Sequence, residues 1–206
     1  MFQLQIGVQL ASLRQPFKEA LRTASHLGAR GVEIDARTEV RPEEMSQTGL
    51  RQLRKLLDDM NLRVSAVDFP TRRGYDVPDD LDRRVTATKA AMRLAHQLGA
   101  SVVTNSVGRV PHDPDGPRWQ TLCQVLSDLG SHGHHVGALL AVRTGADCGA
   151  DLARLLAALP HGAIGVDLDP GNLIAHGHSA LDAVAALGPW IRYVHATDAM
   201  PDRVPG

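Results

Sequence analysis

Aromatic residues are scarce: two Trp, two Tyr and three Phe make up 3% of the 206 residues. A core without large rings must be built from Leu, Val and Ala, which suits a layered α/β protein better than an aromatic-rich β-sandwich. Cysteine is limited to Cys123 and Cys148, too few for a disulfide framework, and the chain reads as one for a reducing, cytoplasmic compartment. Long apolar runs are missing. The longest, Val136 to Val142 counting Gly137, is far below the roughly 20 residues of a membrane span, so no membrane association is expected. Met1-Phe2-Gln3-Leu4-Gln5 has neither a basic segment nor a continuous apolar one, so no signal peptide is expected. An excess of one charge sign is missing too: 22 Lys and Arg against 23 Asp and Glu give −1, unlike the basic stripe of a nucleic-acid binder. With 43% hydrophobic and 22% charged residues, disorder is excluded, and the length predicts one domain over 1–206.

What is present is one unit, repeated. Strand-like runs occur at Leu4–Leu10, Gly31–Asp35, Arg63–Phe69, Ser101–Asn105, Ala138–Thr144, Ile164–Asp169 and Ile191–Ala196. Several are apolar almost throughout, as strands covered on both faces are. Between them the period becomes helical, as in Phe17/Leu21/Ala24/Gly28, Leu50/Leu53/Leu57/Met60 and Leu152/Leu155/Leu159. Leu27-Gly28, Leu98-Gly99, Leu129-Gly130 and Leu187-Gly188 read as helix stops. Strict alternation gives a parallel sheet with helices outside, either an open doubly wound sheet or a (β/α)8 TIM-type barrel. No Gly-x-Gly-x-x-Gly follows the first strand, and seven consecutive repeats favour the barrel. The eighth βα unit is not identifiable, so the domain reads as C-terminally incomplete, and the end strands are expected to seek a partner, as in a homodimer.

In a barrel the site forms where strands end. The polar residues there are Gln9, Glu33, Asp35, Asp68, Thr104, Asn105, Arg143, Thr144, Asp167, Asp169, Asn172, His195 and Asp198. Two local signals stand out. Val166-Asp167-Leu168-Asp169-Pro170-Gly171-Asn172 puts an Asp at the tip of a buried strand, and Tyr193-Val194-His195-Ala196-Thr197-Asp198 puts a His at the tip of the next. Adjacent strands lie about 4.8 Å apart, so Asp169 and His195 are placed to share a divalent ion. Equally, Asp-Pro-Gly starts turns and a strand-end His can be a satisfied core residue.

These two segments, with Gly31-Val32-Glu33-Ile34, resemble the xylose-isomerase-like barrels of sugar-phosphate isomerases and epimerases, and the resemblance runs along the whole chain. It implies a sugar or sugar-phosphate substrate and a divalent metal (Mn, Mg, Co or Zn), with Asp169 and His195 as ligands and proton transfer through an enediolate. It also implies a metal-binding, proton-moving Glu after the fifth strand and another after the eighth. The chain departs from both. Leu140-Ala141-Val142-Arg143-Thr144-Gly145 carries Arg143 at the first position, where a guanidinium can neither ligate a cation nor act as a base, and the second falls beyond the sequence. Glu33, Asp198 and, on position alone, Asp68 are the stand-in candidates for catalysis. Arg143, Asn172, Asn105, Asp68 and Gln9 are candidates for substrate binding. Arg143 is equally a candidate for an ion pair with Asp169 or Glu33.

Three functions follow: the metal-dependent isomerase or epimerase, impaired or not; a non-catalytic barrel binding a sugar-like ligand or a protein partner; and an abasic-site endonuclease, disfavoured by charge and by sparse histidines at the right rim. Ser131-His132-Gly133-His134-His135 reads as a loop on the opposite rim. His176 and His178 lie on the site's rim, as does Arg72-Arg73.

Overall fold

The computed structural model describes residues 6–200. Seven strands form one sheet in sequence order: β1 (Gly7–Gln9), β2 (Gly31–Asp35), β3 (Arg63–Asp68), β4 (Val102–Asn105), β5 (Leu139–Arg143), β6 (Gly165–Leu168) and β7 (Ile191–Val194). Every neighbouring pair is parallel. All seven strands expected from the sequence are therefore present, with ends trimmed. Leu4 and Gln5 of the first run, and 201–206, lie outside the described residues.

The helices are α1 (Phe17–His26), α2 (Gln47–Asp59), α3 (Leu81–Gln97), α4 (Pro117–Val136), α5 (Gly149–Ala157), α6 (Pro170–Ala175) and α7 (Ala180–Leu187). Their local signals are ordinary physical chemistry. Ser46 caps α2 by accepting from the Gly49 N–H, Ser179 caps α7, and α4 opens on a proline at its first position and closes on Gly137 at φ +86°. α2 and α5 each bury a leucine stripe, Leu50, Leu53 and Leu57 from α2 and Leu152, Leu155 and Leu156 from α5. The main core lies in this layer between sheet and helices.

The sheet is curled, and side chains show it. The Ser65 hydroxyl of β3 lies 3.3 Å from the Tyr193 hydroxyl of β7. In a flat sheet, strands four places apart would be about 19 Å apart. The interior is filled by small residues, Ala66, Val102 and Ala141, with Tyr193 packed on them. Small side chains at these positions leave the upper interior free for charged ones.

Two sequence readings need correction. Leu129-Gly130 is no helix stop, and the histidine run after it is no loop: α4 continues through Gly130 and Gly133 to Val136. These glycines prolong the buried stripe of Leu122, Leu126 and Leu129 where the helix approaches its neighbours too closely for a side chain. A Cβ on Gly130 would lie 2.6 Å from the Ala163 Cβ and 2.8 Å from its carbonyl oxygen. Gly130→Ala is accordingly expected to lower stability in a urea titration. Over-packing costs about 1–3 kcal/mol, against a helix-propensity gain of roughly 1 kcal/mol. A raised midpoint would show that the two segments separate at no cost.

Candidate functional site

At the C-terminal ends of the strands a charged layer crosses the barrel mouth. The register sets Gln9 beside Glu33, Asp68 beside Thr104 and Arg143 beside Asp167. The ladder is irregular between Val32 and Glu33 and again between Val166 and Asp167. Such irregularities re-aim the side chains that follow. The two carboxylates so placed, Glu33 and Asp167, are the two that hold His195.

The His195 Nδ1 lies 2.8 and 2.9 Å from the Asp167 carboxylate oxygens, and its Nε2 lies 3.0 Å from Glu33 Oε1. Gln9 Nε2 donates to the same Oε1 at 2.8 Å. Burial opposes a charge on the imidazole, but the hydrogen bonds and negative charges of Asp167 and Glu33 outweigh it and push its pKa up to about 10. His195 is therefore protonated at neutral pH and donates through both nitrogens. Glu33 is 1% exposed, and its Oε2 is buried with no partner among the described residues.

Arg143 fills the rest of the layer. Its Nε donates to Asp167 Oδ2 at 2.9 Å, and its Nη2 donates to Asp68 Oδ1 at 3.0 Å and to Thr104 Oγ1 at 3.2 Å. Thr104 donates in turn to Asp68. Burial drives the Asp68 pKa up to about 6, with Arg143 pulling against the shift and Glu33 adding to it. Burial also opposes the guanidinium charge, but Asp68 and Asp167 together raise the Arg143 pKa.

Asp169 and His195 make no hydrogen bond to each other among the described residues. Asp169 is the N-cap of α6: its Oδ1 accepts from the Asn172 N–H at 2.9 Å and from the Thr197 hydroxyl. The imidazole turns instead to Asp167, two residues upstream. The ion pair of Arg143 likewise runs to Asp167 and Asp68, not to Asp169 or Glu33. Asn105 is fully buried; it donates to the Tyr75 hydroxyl, which also bonds Thr88, and so it braces the wall behind the mouth. Asp198 is exposed, and among the described residues it accepts from the next backbone N–H. Gln9 and Asp68 belong to the charged layer. Asn172 donates to the Thr144 carbonyl and lines a cavity of about 160 Å³ together with Ser106, Arg143, Thr144, Asp147 and His176. Asp167 is the residue that reading by strand tips undervalues. Its signal was an Asp inside an otherwise apolar strand, where a charge requires a partner.

A divalent ion does not fit these side chains. Glu33 Oε1, Asp68 Oδ1 and both Asp167 oxygens already accept from Gln9, His195, Thr104 and Arg143. Both His195 ring nitrogens are already engaged, Nδ1 with Asp167 and Nε2 with Glu33. Among the described residues, no three His, Cys, Asp or Glu side chains converge as a metal cage. Two protein cations, Arg143 and His195, already face the three carboxylates of this layer.

The family described as xylose isomerase-like TIM barrel matches residues 21–205. A search of curated proteins gave no match. Among solved structures, the chain resembles a xylose isomerase domain protein from Planctomyces limnophilus at 20% identity and a TM-score of 0.78, covering 85% of this chain and 66% of that one. It resembles D-psicose 3-epimerase from Clostridium cellulolyticum H10, crystallised with D-tagatose, at 13% identity and a TM-score of 0.77, covering 93% and 72%. It also resembles a xylose isomerase-like barrel protein from Mycobacterium smegmatis in complex with magnesium, at 17% identity and a TM-score of 0.74, covering 92% and 72%. At these identities the likeness is one of fold, and the chain spans about two thirds of the Planctomyces protein's length.

Proposed function

The chain belongs to the xylose isomerase-like TIM-barrel family, and from that premise we propose that it takes a sugar or sugar-derived small molecule at the barrel mouth without a divalent ion. The observation that carries this reading is the Arg143 guanidinium, fixed between Asp167 and Asp68 in the layer where the family resemblance puts a metal-binding glutamate. The cavity beside it is lined by Thr144 and by the hydroxyl, amide and imidazole side chains of Ser106, Asn172 and His176, which suit a polyhydroxylated ligand.

Isomerising or epimerising a sugar through an enediolate needs a base within about 3 Å of the carbon-bound proton. Glu33 is sealed at 1% exposure and Asp167 at 0%, so neither reaches a ligand in this arrangement. Arg143 stays charged and moves no proton. Recognition of the ligand, without metal-assisted proton transfer, is thus the reading these residues support over the isomerase reaction.

Saturation-transfer NMR with a panel of aldohexoses and ketohexoses, run in D2O with and without EDTA, tests it. Binding should be indifferent to EDTA, and no deuterium should enter the carbons next to the carbonyl. Deuterium incorporation that requires an added divalent ion would restore the metal-dependent isomerase.

A further inference from the structure

Arg143 is only partly consumed by the protein. A guanidinium presents its N–H groups in a fixed planar fork. Here Nε goes to Asp167 and Nη2 goes to Asp68 and Thr104. Nη1, with its two N–H groups, has no partner among the described residues and is not among the buried unpartnered atoms. The residue is one-fifth exposed and lines the mouth cavity with Thr144, Asn172 and His176.

From this we infer that the ligand carries a carboxylate, and that Arg143 Nη1 binds it. The proposal rests on the reading that the mouth takes a sugar-type molecule, and it narrows that molecule to a sugar acid. The clamp makes the arginine suitable. Its torsions are already fixed by two carboxylates, so little side-chain entropy is lost when a ligand arrives. The charge balance selects the kind of anion. Glu33, Asp68 and Asp167 face Arg143 and His195, so three carboxylates meet two cations, and Asp147 adds another carboxylate to the cavity wall. This surplus of carboxylates opposes anions in general, so only direct pairing with the free Nη1 edge favours one, and that edge can offset a single negative charge. A phosphate dianion would bring a second negative charge with no second free cation in the layer. Hydroxyls of the same ligand would meet Ser106 and the Oδ1 side of Asn172, which has no partner among the described residues and whose Nδ2 is held by the Thr144 carbonyl.

Isothermal titration of the native chain with D-glucuronate, D-galacturonate and D-gluconate, each set against D-glucose or D-galactose and against D-glucose 6-phosphate, tests the inference. At least one acid should bind about tenfold more tightly than its neutral counterpart and than the phosphate, as a hydrogen bond to a charged group implies. In Arg143→Gln, shown to be folded by circular dichroism, that preference of acid over neutral sugar should vanish. Should Arg143→Gln not fold, the preference within the native chain decides alone. Equal binding of acid and neutral sugar, or tighter binding of the phosphate, overturns the inference but leaves the mouth as a sugar site. Failure of every sugar and acid to bind overturns both.

Discussion

Arg143→Ala will cost about 3–5 kcal/mol of folding free energy, the usual loss when one member of a buried ion pair is removed and the other stays charged. Asp167 is fully buried and Asp68 nearly so, and both look to this guanidinium. The two do not suffer equally. Asp68, with a pKa already up to about 6, escapes by taking a proton. Asp167 keeps His195 as a partner but loses the Nε donor. A domain of this size is held by about 5–15 kcal/mol in all, so the variant should unfold at a much lower urea concentration than the native chain. A loss below about 1 kcal/mol would mean that water replaces the guanidinium without penalty, and that the clamp does not hold the mouth together.

Asp167→Asn should be comparably severe, by the opposite route. The native carboxylate accepts from Arg143 and from His195, and an amide offers one oxygen while pressing its own N–H groups against one of these donors. Two cations are then left facing a neutral side chain. The variant also changes how stability depends on pH. In the native chain the His195 pKa is up to about 10, against about 6.5 for an unperturbed imidazole. Its contribution is complete below about pH 6.5 and is lost as the pH climbs through about 10. The raised Asp68 pKa works in the same direction at lower pH, since ionising this carboxyl is harder in the fold than in the unfolded chain. Urea midpoints of the native protein should therefore fall between pH 6.5 and 10. In Asp167→Asn the fall should be shallower, because the main group holding the proton is gone. An unchanged slope would show that His195 does not depend on Asp167.

Much of this architecture was legible from residue pattern alone. Runs such as Val102–Asn105 and Gly165–Leu168 are buried on both faces, so their apolar character survives any tertiary detail. The replacement at Arg143 was also visible, because a guanidinium differs from a glutamate whatever surrounds it. Its partners were not. Asp68 lies two strands away, and only the curl of the sheet brings it within 3.0 Å. Asp167 and Asp169 share the same side of their strand by alternation, so pattern could not say which meets His195. The ladder irregularity before Asp167 decides it. Asp169-Pro170 was open to a turn reading, yet the pair is also an N-cap followed by a first-position proline, and the short helix α6 begins there. Gly130 misled because one residue type serves both at helix ends and at close approaches.

The most direct trial is a manganese titration of the EDTA-stripped native chain at neutral pH, followed by electron paramagnetic resonance of the free ion. With Arg143 and His195 already supplying the positive charge of the mouth, no stoichiometric uptake should occur below millimolar metal. One Mn²⁺ bound per chain at micromolar affinity, lost in Asp169→Asn and in His195→Gln, would show that these side chains rearrange into a metal centre and that the guanidinium does not stand in for the ion.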